Sequence, residues 1–192
     1  MLVHTVGHGT RPLEEFVETL LEAGVTCVVD VRRFPSSRRN PQFNRAAVEA
    51  AVEAAGIAYR HEEELGGRRS GEPGEDRFAC LRVAAFRSYA ARMAAPEYQA
   101  ALERSLLVER PCFMCAETLW WRCHRRLIAE LLAARGHRVV HLLGPGKREV
   151  HRFWPESEVR GGRLYVCGSV VGERPSEADR LIDETLFQEG FE

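Results

Sequence analysis

Lysine is almost missing from this chain: of its 27 basic residues, only Lys147 is a lysine. Asparagine and glutamine are scarce as well. Both shortages fit a GC-rich coding bias, and a shortage of thermolabile amides is also a trend of heat-stable proteins. Arginine clusters are therefore partly compositional, and each needs a second reason to count as functional. No run of about 18 apolar residues exists, so no segment is expected to span a membrane. The start, MLVHTVGHGT, has neither a basic n-region nor a long apolar h-region, so a signal peptide is not expected. There is no GxGxxG with an acidic residue at the right distance and no GxxxxGK[ST]. That excludes the common dinucleotide and P-loop readings, and no cofactor is evident. The net charge of −1 supplies no long-range field for nucleic acid or an anionic membrane.

What is present reads as one cytoplasmic α/β domain over residues 1–192, long enough to bury a good core. Apolar residues make up 45% and charged residues 29%, an ordinary globular balance. The six cysteines are Cys27, Cys80, Cys112, Cys115, Cys123 and Cys167. Cys27 and Cys167 sit inside apolar runs, and the set reads as reduced thiols rather than a disulfide framework.

Strands are expected near 2–6, 25–31, 57–61, 111–115 and 138–143, the second as a nearly continuous β-branched run (VTCVVDV). Helical spacing follows from Pro12 to Gly24, from Asn44 to Gly56 and from Leu119 to Arg135. Alternation of strands and helices predicts a three-layer, doubly wound domain with a mostly parallel sheet. A helical insertion over about 79–107 lengthens the crossover before the fourth strand. Residues 62–77 read as a long polar loop, flexible or a lid. A hairpin turning at Gly161-Gly162 and a helix from about Ser176 to Phe187 complete the chain.

Polar residues gather where the expected strands end. His8 follows the first, Asp30 and Arg32 the second, and Glu117, Cys123, His124 and Arg125 the fourth. In an open α/β sheet, the carboxyl ends of strands form the usual ligand crevice. Taken singly, such an Asp is often a cap and such a His a structural group; three strand ends together predict a shared pocket. Arg32, Arg33, Arg38 and Arg39 with Ser36 and Ser37 form a plausible phosphate clamp, since guanidinium grips phosphate bidentately.

Two further chemistries are open to these residue types. Cys112, Cys115, Cys123 and His124 could be read as zinc ligands. Residues three apart on a strand point to opposite faces, and adjacent residues on a helix point about 100° apart, so no structural zinc is expected at Cys112 and Cys115. A metal held by Asp30, Glu117 and His124 stays open. Cys123, near a helix start with arginines beside it, could be an activated thiol, or a small packed residue on the buried stripe with Trp120 and Leu127.

The ordered set Thr5-x-Gly7-His8, Asp30-Val31-Arg32 with Pro35, Ser36 and Arg38, Leu65-Gly66-Gly67, Phe86-Arg87-x-Tyr89-Ala90, Cys115-x-Glu117 and Cys123-His124-Arg125 resembles the family called domain of unknown function 488. The likeness covers roughly residues 3–143. It implies a small cytoplasmic protein without an established activity, in which His8, Asp30, Arg32, Glu117, Cys123, His124 and Arg125 match the recurring pattern. Two departures stand out: Gly9 and Thr10 follow His8 where a serine directly after the histidine is usual, and Cys112 is not part of the motif.

The leading expectation is an enzyme, hydrolase-like, acting on a phosphate-bearing ligand such as a nucleotide or damaged nucleic acid. Arg32, Arg38 and Arg125 would hold the anion. Asp30 or Glu117 would be the base and His8 or His124 the acid, with Cys123 as a further reactive group. The rival is a non-catalytic module that reads a nucleotide or a nucleic-acid end.

Overall fold

The computed structural model describes residues 1–173, so the helix expected over 176–187 lies outside the described residues. Five strands run parallel: β1 (Leu2–Gly7), β2 (Cys27–Asp30), β3 (Ala58–His61), β4 (Pro111–Cys115) and β5 (Arg138–Gly144). A sixth, β6 (Lys147–Val150), pairs antiparallel with β5 at one edge, and the sheet order is β3-β2-β4-β1-β5-β6. The expected mostly parallel α/β sheet is therefore present; β6 is an addition to it.

The helices are α1 (Leu13–Glu22), α2 (Arg45–Ala54), α3 (Ala84–Arg92), α4 (Pro96–Ser105) and α5 (Arg125–Ala134). Chain direction explains their placement. From β1 through β2 to β3 the chain steps one way across the sheet, and from β3 through β4 to β5 it steps back. Right-handed crossovers taken in opposite directions place their helices on opposite faces. Accordingly, Phe16 and Leu20 of α1 and Val48 and Val52 of α2 pack with Val28, Cys112 and Met114. Residues of α3, α4 and α5 pack with Val29, Val31, Phe113 and Cys115 on the other face. Alternation along β4 thus sends Cys112 and Cys115 into different cores, as strand geometry requires.

The C-terminal hairpin is present as β7 (Ser157–Arg160) and β8 (Arg163–Val166). Gly161 and Gly162 turn it at φ of 55° and 78°, a backbone that residues with a Cβ rarely adopt. A third strand, β9 (Ser169–Val171), completes a small antiparallel sheet that packs on α5. Among the described residues, no helix is long and apolar enough to cross a membrane.

Two expectations change. The thiols are not all reduced: Cys80 and Cys167 form a disulfide with Cα atoms 5.7 Å apart, tying the segment before α3 to the β8–β9 turn. Their separation of 87 residues in sequence left no local spacing signal. The polar stretch 62–77 is also not bare loop. It holds short 3-10 turns at Glu63–Leu65 and Glu75–Phe78, and Leu65, Gly66 and Gly67 are buried.

Candidate functional site

Backbone pairing gathers three strand ends. His8 N–H donates to Cys115 O, Gly9 N–H to Ala116 O, and Val31 N–H to Met114 O, all within 2.9–3.0 Å. Above them opens a cavity of about 800 Å³, into which His8, Arg32, Arg38, Glu117, Cys123 and His124 all face. Six of the eight residues expected there line it together. Asp30 and Arg125 do not; both are buried beneath it.

On the α1/α2 face, Asp30 is wholly buried and fully used. Its carboxylate accepts from Arg32 N, from Arg32 Nε at 2.8 Å, from Arg32 Nη2 at 2.5 Å and from Tyr59 Oη at 2.6 Å. Burial, then the neighbouring Asp30 charge, pushes the Tyr59 hydroxyl far up, so it remains a donor. The other end of Arg32 donates from Nη1 to Phe43 O at 2.6 Å. His8 lies flat against the Phe43 ring, centroids 4.2 Å apart. Its Nδ1–H donates to Gly9 O, which leaves the Nε2 lone pair facing Arg32 Nη1 at 3.5 Å. Burial above all lowers the His8 pKa to about 4, against the opposing pull of the Gly9 bond. At neutral pH this imidazole has no second proton to give. Asp30, His8 and Tyr59 therefore hold Arg32 at the pocket floor.

On the α5 face lies a tighter cluster. A 3-10 turn at Trp120–Arg122 interrupts the helix expected from Leu119, and Cys123 is extended, with φ −118° and ψ 151°. His124 caps α5. The 100° divergence expected of neighbours on a helix does not apply here, because Cys123 is outside the helix. Its sulfur lies 3.6 Å from His124 Nδ1, and Cys115 Sγ lies 3.9 Å from the same nitrogen. His124 Nε2–H donates to Val31 O at 3.0 Å. A carbonyl can only accept, so Nε2 carries a proton; in the neutral ring Nδ1 turns a lone pair to the two sulfurs, and in the imidazolium it donates to them.

Arg125 supports this cluster from below at 1% exposure. It donates from Nε to Cys123 Sγ at 3.4 Å, from Nη1 to Thr5 Oγ1, and from Nη2 to Glu117 O. Burial pushes the Cys123 thiol up. The hydrogen bond from Cys115 and the charges of His124 and Arg125 outweigh it and hold Cys123 well below the ordinary thiol range. Cys115, bonded to Cys123 and buried, moves the other way. Of the two sulfurs, Cys123, which faces the guanidinium, is the one that takes negative charge more readily.

Glu117 stands exposed on the rim, its carboxylate accepting Leu119 N–H at 3.1 Å. Phe34 and Phe86 form apolar wall. Sequence reasoning missed Arg68 and Arg122, which line the pocket from segments with no motif of their own. It noted Gly67 without a role. A Cβ on Gly67 would stand 2.6 Å from His124 Nδ1, so only glycine leaves that nitrogen room. Among the described residues, the group whose ligand atoms converge as a metal site requires is Cys115, Cys123 and His124, and not Asp30, Glu117 and His124.

The family model for Domain of unknown function DUF488 matches residues 12–132. No curated protein and no solved structure matches the chain. The matched span holds both strand-end groups except His8, and covers well over half of the 192 residues. By its sequence motifs and by this match, the chain belongs to the DUF488 family.

Proposed function

We propose that the pocket belongs to an enzyme that binds a phosphate-bearing ligand and hydrolyses it. The observation that carries this reading is a set of unpaired guanidiniums. Arg32 is neutralised by Asp30, but Arg33, Arg38, Arg68 and Arg122 also line the pocket. None of the four forms an ion pair among the described residues, and Arg33 Nε is buried with no partner at all. Glu117 is the carboxylate on the lining. Arginines without a carboxylate partner occur elsewhere too, Arg39, Arg82 and Arg152 among them, so the weight rests on the convergence of these four on one concavity rather than on the lack of a partner. Guanidinium forks facing a shared space fit the oxygens of a phosphate.

The roles shift from those expected of the residue types. Asp30 and His8 position Arg32 rather than moving protons. Glu117 is the reachable carboxylate and so the candidate base, and the Cys115–Cys123–His124 cluster is the reacting floor. The presence of that cluster inside the anion pocket favours an enzyme over a module that only binds.

The test is calorimetric and kinetic. Inorganic phosphate and a nucleoside monophosphate should bind the wild type, with affinity that falls steeply as salt rises. Each charge-assisted hydrogen bond lost is worth about 1.5–3 kcal/mol, so Arg38→Ala should weaken binding by roughly 10- to 100-fold while leaving the melting temperature nearly unchanged. Glu117→Gln should retain binding and lose release of phosphate from the nucleotide. Equal affinity in Arg38→Ala and wild type, or no anion binding at all, would sink the reading. Binding without turnover in the wild type would convert it to the non-catalytic module.

A further inference from the structure

We infer that Cys115, Cys123 and His124 form a binding site for a thiophilic divalent cation, zinc by its chemistry, with a fourth position open to the pocket. The inference goes beyond the anion reading and stands without it, since none of the four unpaired arginines takes part.

Four observations converge. The first is distance. Ligands at about 2.3 Å for sulfur and about 2.0–2.1 Å for nitrogen on a tetrahedral ion lie roughly 3.5–3.8 Å from one another. Here the two sulfur–nitrogen separations are 3.9 and 3.6 Å, and the three ligand atoms all lie within 4.8 Å of one another. The second is tautomer. The Val31 carbonyl accepts the Nε2–H, so in the neutral ring Nδ1 is the unprotonated nitrogen, aimed at the sulfurs. Metal-bound histidines are oriented in this way, by a carbonyl or carboxylate on the far nitrogen. The third is space. Gly67 borders His124 Nδ1 where a Cβ would come within 2.6 Å, so the backbone leaves a hollow beside the donor nitrogen. The fourth is the support of the sulfur. Arg125 Nε donates to Cys123 Sγ, the hydrogen bond that stabilises a thiolate ligand from behind.

The donor set selects the metal. Two thiolates and one imidazole are soft to intermediate ligands, suited to zinc and poor for magnesium or calcium. Cys112 does not belong to the set, because it faces the opposite core. All three ligands border the cavity, so a fourth ligand would come from solvent or substrate. Three protein ligands with an open position distinguish reactive zinc sites from closed structural ones, and bound water there is acidified toward neutrality. That gives the proposed hydrolysis a source of hydroxide, with Glu117 on the rim.

Cobalt(II) is the probe, because thiolate ligation gives it a near-ultraviolet charge-transfer band and tetrahedral geometry gives it strong visible bands. Anaerobic titration of the wild type should show one equivalent with both signatures, and zinc should displace it. Cys115→Ser, Cys123→Ser and His124→Ala should each lose the tight equivalent, while Cys112→Ser keeps it. Gly67→Ala should weaken binding about 10- to 100-fold, as changes beside a ligand do. Because a variant can fail to fold, the wild type carries its own arm. Zinc should protect Cys115 and Cys123 from alkylation, located by peptide mass, and a chelator should expose them. Absence of thiolate charge transfer in the wild type, or an unchanged cobalt spectrum in folded Cys115→Ser and Cys123→Ser, overturns the site. None of these readings uses phosphate, so failure here and failure of the anion pocket are separate results.

Discussion

Moving the protein from about pH 7 to about pH 5.5 should lower its stability by roughly 4–5 kcal/mol, before most carboxylates titrate. Four histidines cause this: His8 in the pocket, whose pKa burial lowers to about 4, and His4, His141 and His151 outside it. Burial, followed by the charges of Arg148 and Arg110, lowers the His4 pKa to about 4. Burial, then His151 and Arg125, lowers that of His141 to about 3. Burial and then Arg126 lower that of His151 to about 4. Each folded pKa lies below the ordinary value of 6.5, so the unfolded chain takes protons that the folded chain refuses. The stabilisation is therefore complete above about pH 6.5 and is lost as the pH falls from there toward 4. One unit of difference is worth about 1.4 kcal/mol per group, and His151, being only half-buried, contributes less than the full amount. Burial holds the Glu130 carboxyl above its usual range, which works in the opposite direction once the pH enters the carboxylate range.

The geometry explains why these rings stay neutral. Thr5 donates its hydroxyl proton to His141 Nδ1 at 2.6 Å, and His141 Nε2 lies 3.0 Å from His151 Nδ1. Trp120 lies flat on His141, with ring centroids 4.0 Å apart. A charged His141 would lose the lone pair that Thr5 bonds to. Thermal melts across this pH range should show a fall of roughly 10 °C. His141→Gln should remove about a quarter of the slope. A flat profile would mean that these histidines are hydrated and titrate normally.

Arg125→Ala should cost about 3–5 kcal/mol, the range for truncating a large, wholly buried side chain and leaving buried acceptors unpaired. In a chain of this size that is a drop of roughly 10 °C or more. The reason lies in what the guanidinium touches: a sulfur, a hydroxyl and a main-chain carbonyl, without a carboxylate among the described residues. Its removal strands the Glu117 carbonyl and the Cys123 sulfur and opens a hole the size of a large side chain. Arg125→Lys restores the charge but not the fork that reaches three acceptors, and should recover only part of the loss. Arg38→Ala, on the exposed loop, should change stability by no more than about 0.5 kcal/mol. A melt for Arg125→Ala that matches Arg38→Ala would mean that the buried guanidinium supports nothing.

Much of this was legible in the residues. The buried strands announce themselves through β-branched runs, and the strand ends follow from them, which is why His8, Arg32, Glu117, Cys123 and His124 could be assigned to one edge. The pattern shared with DUF488 selected the same positions. Other features had no local signal. β6 has the sequence KREV, too polar to read as a strand until β5 supplies its hydrogen bonds. The helix expected from Leu119 begins only at Arg125, because a 3-10 turn packs Trp120 against His141. That six-residue difference decides whether Cys123 and His124 diverge or converge. Asp30 looked like a base because residue type says nothing about how many donors already surround it.

The anchors of the site have one further property in common. His8 is held by Gly9 O, Arg32 by Phe43 O, Arg125 by Glu117 O and His124 by Val31 O, and Tyr89, whose ring centroid lies 5.0 Å from that of His124, by Leu65 O. Each anchor is a carbonyl that every amino acid carries. Point mutation can remove the gripping side chain but cannot delete the post it grips. As posts they need no particular side chain, although Phe43 also stacks on His8 and Glu117 also lines the pocket. Their inheritance is a matter of chain path. Anyone moving this pocket into another scaffold would have to copy the course of the backbone at residues 9, 31, 43, 65 and 117 as well as the side chains that line it.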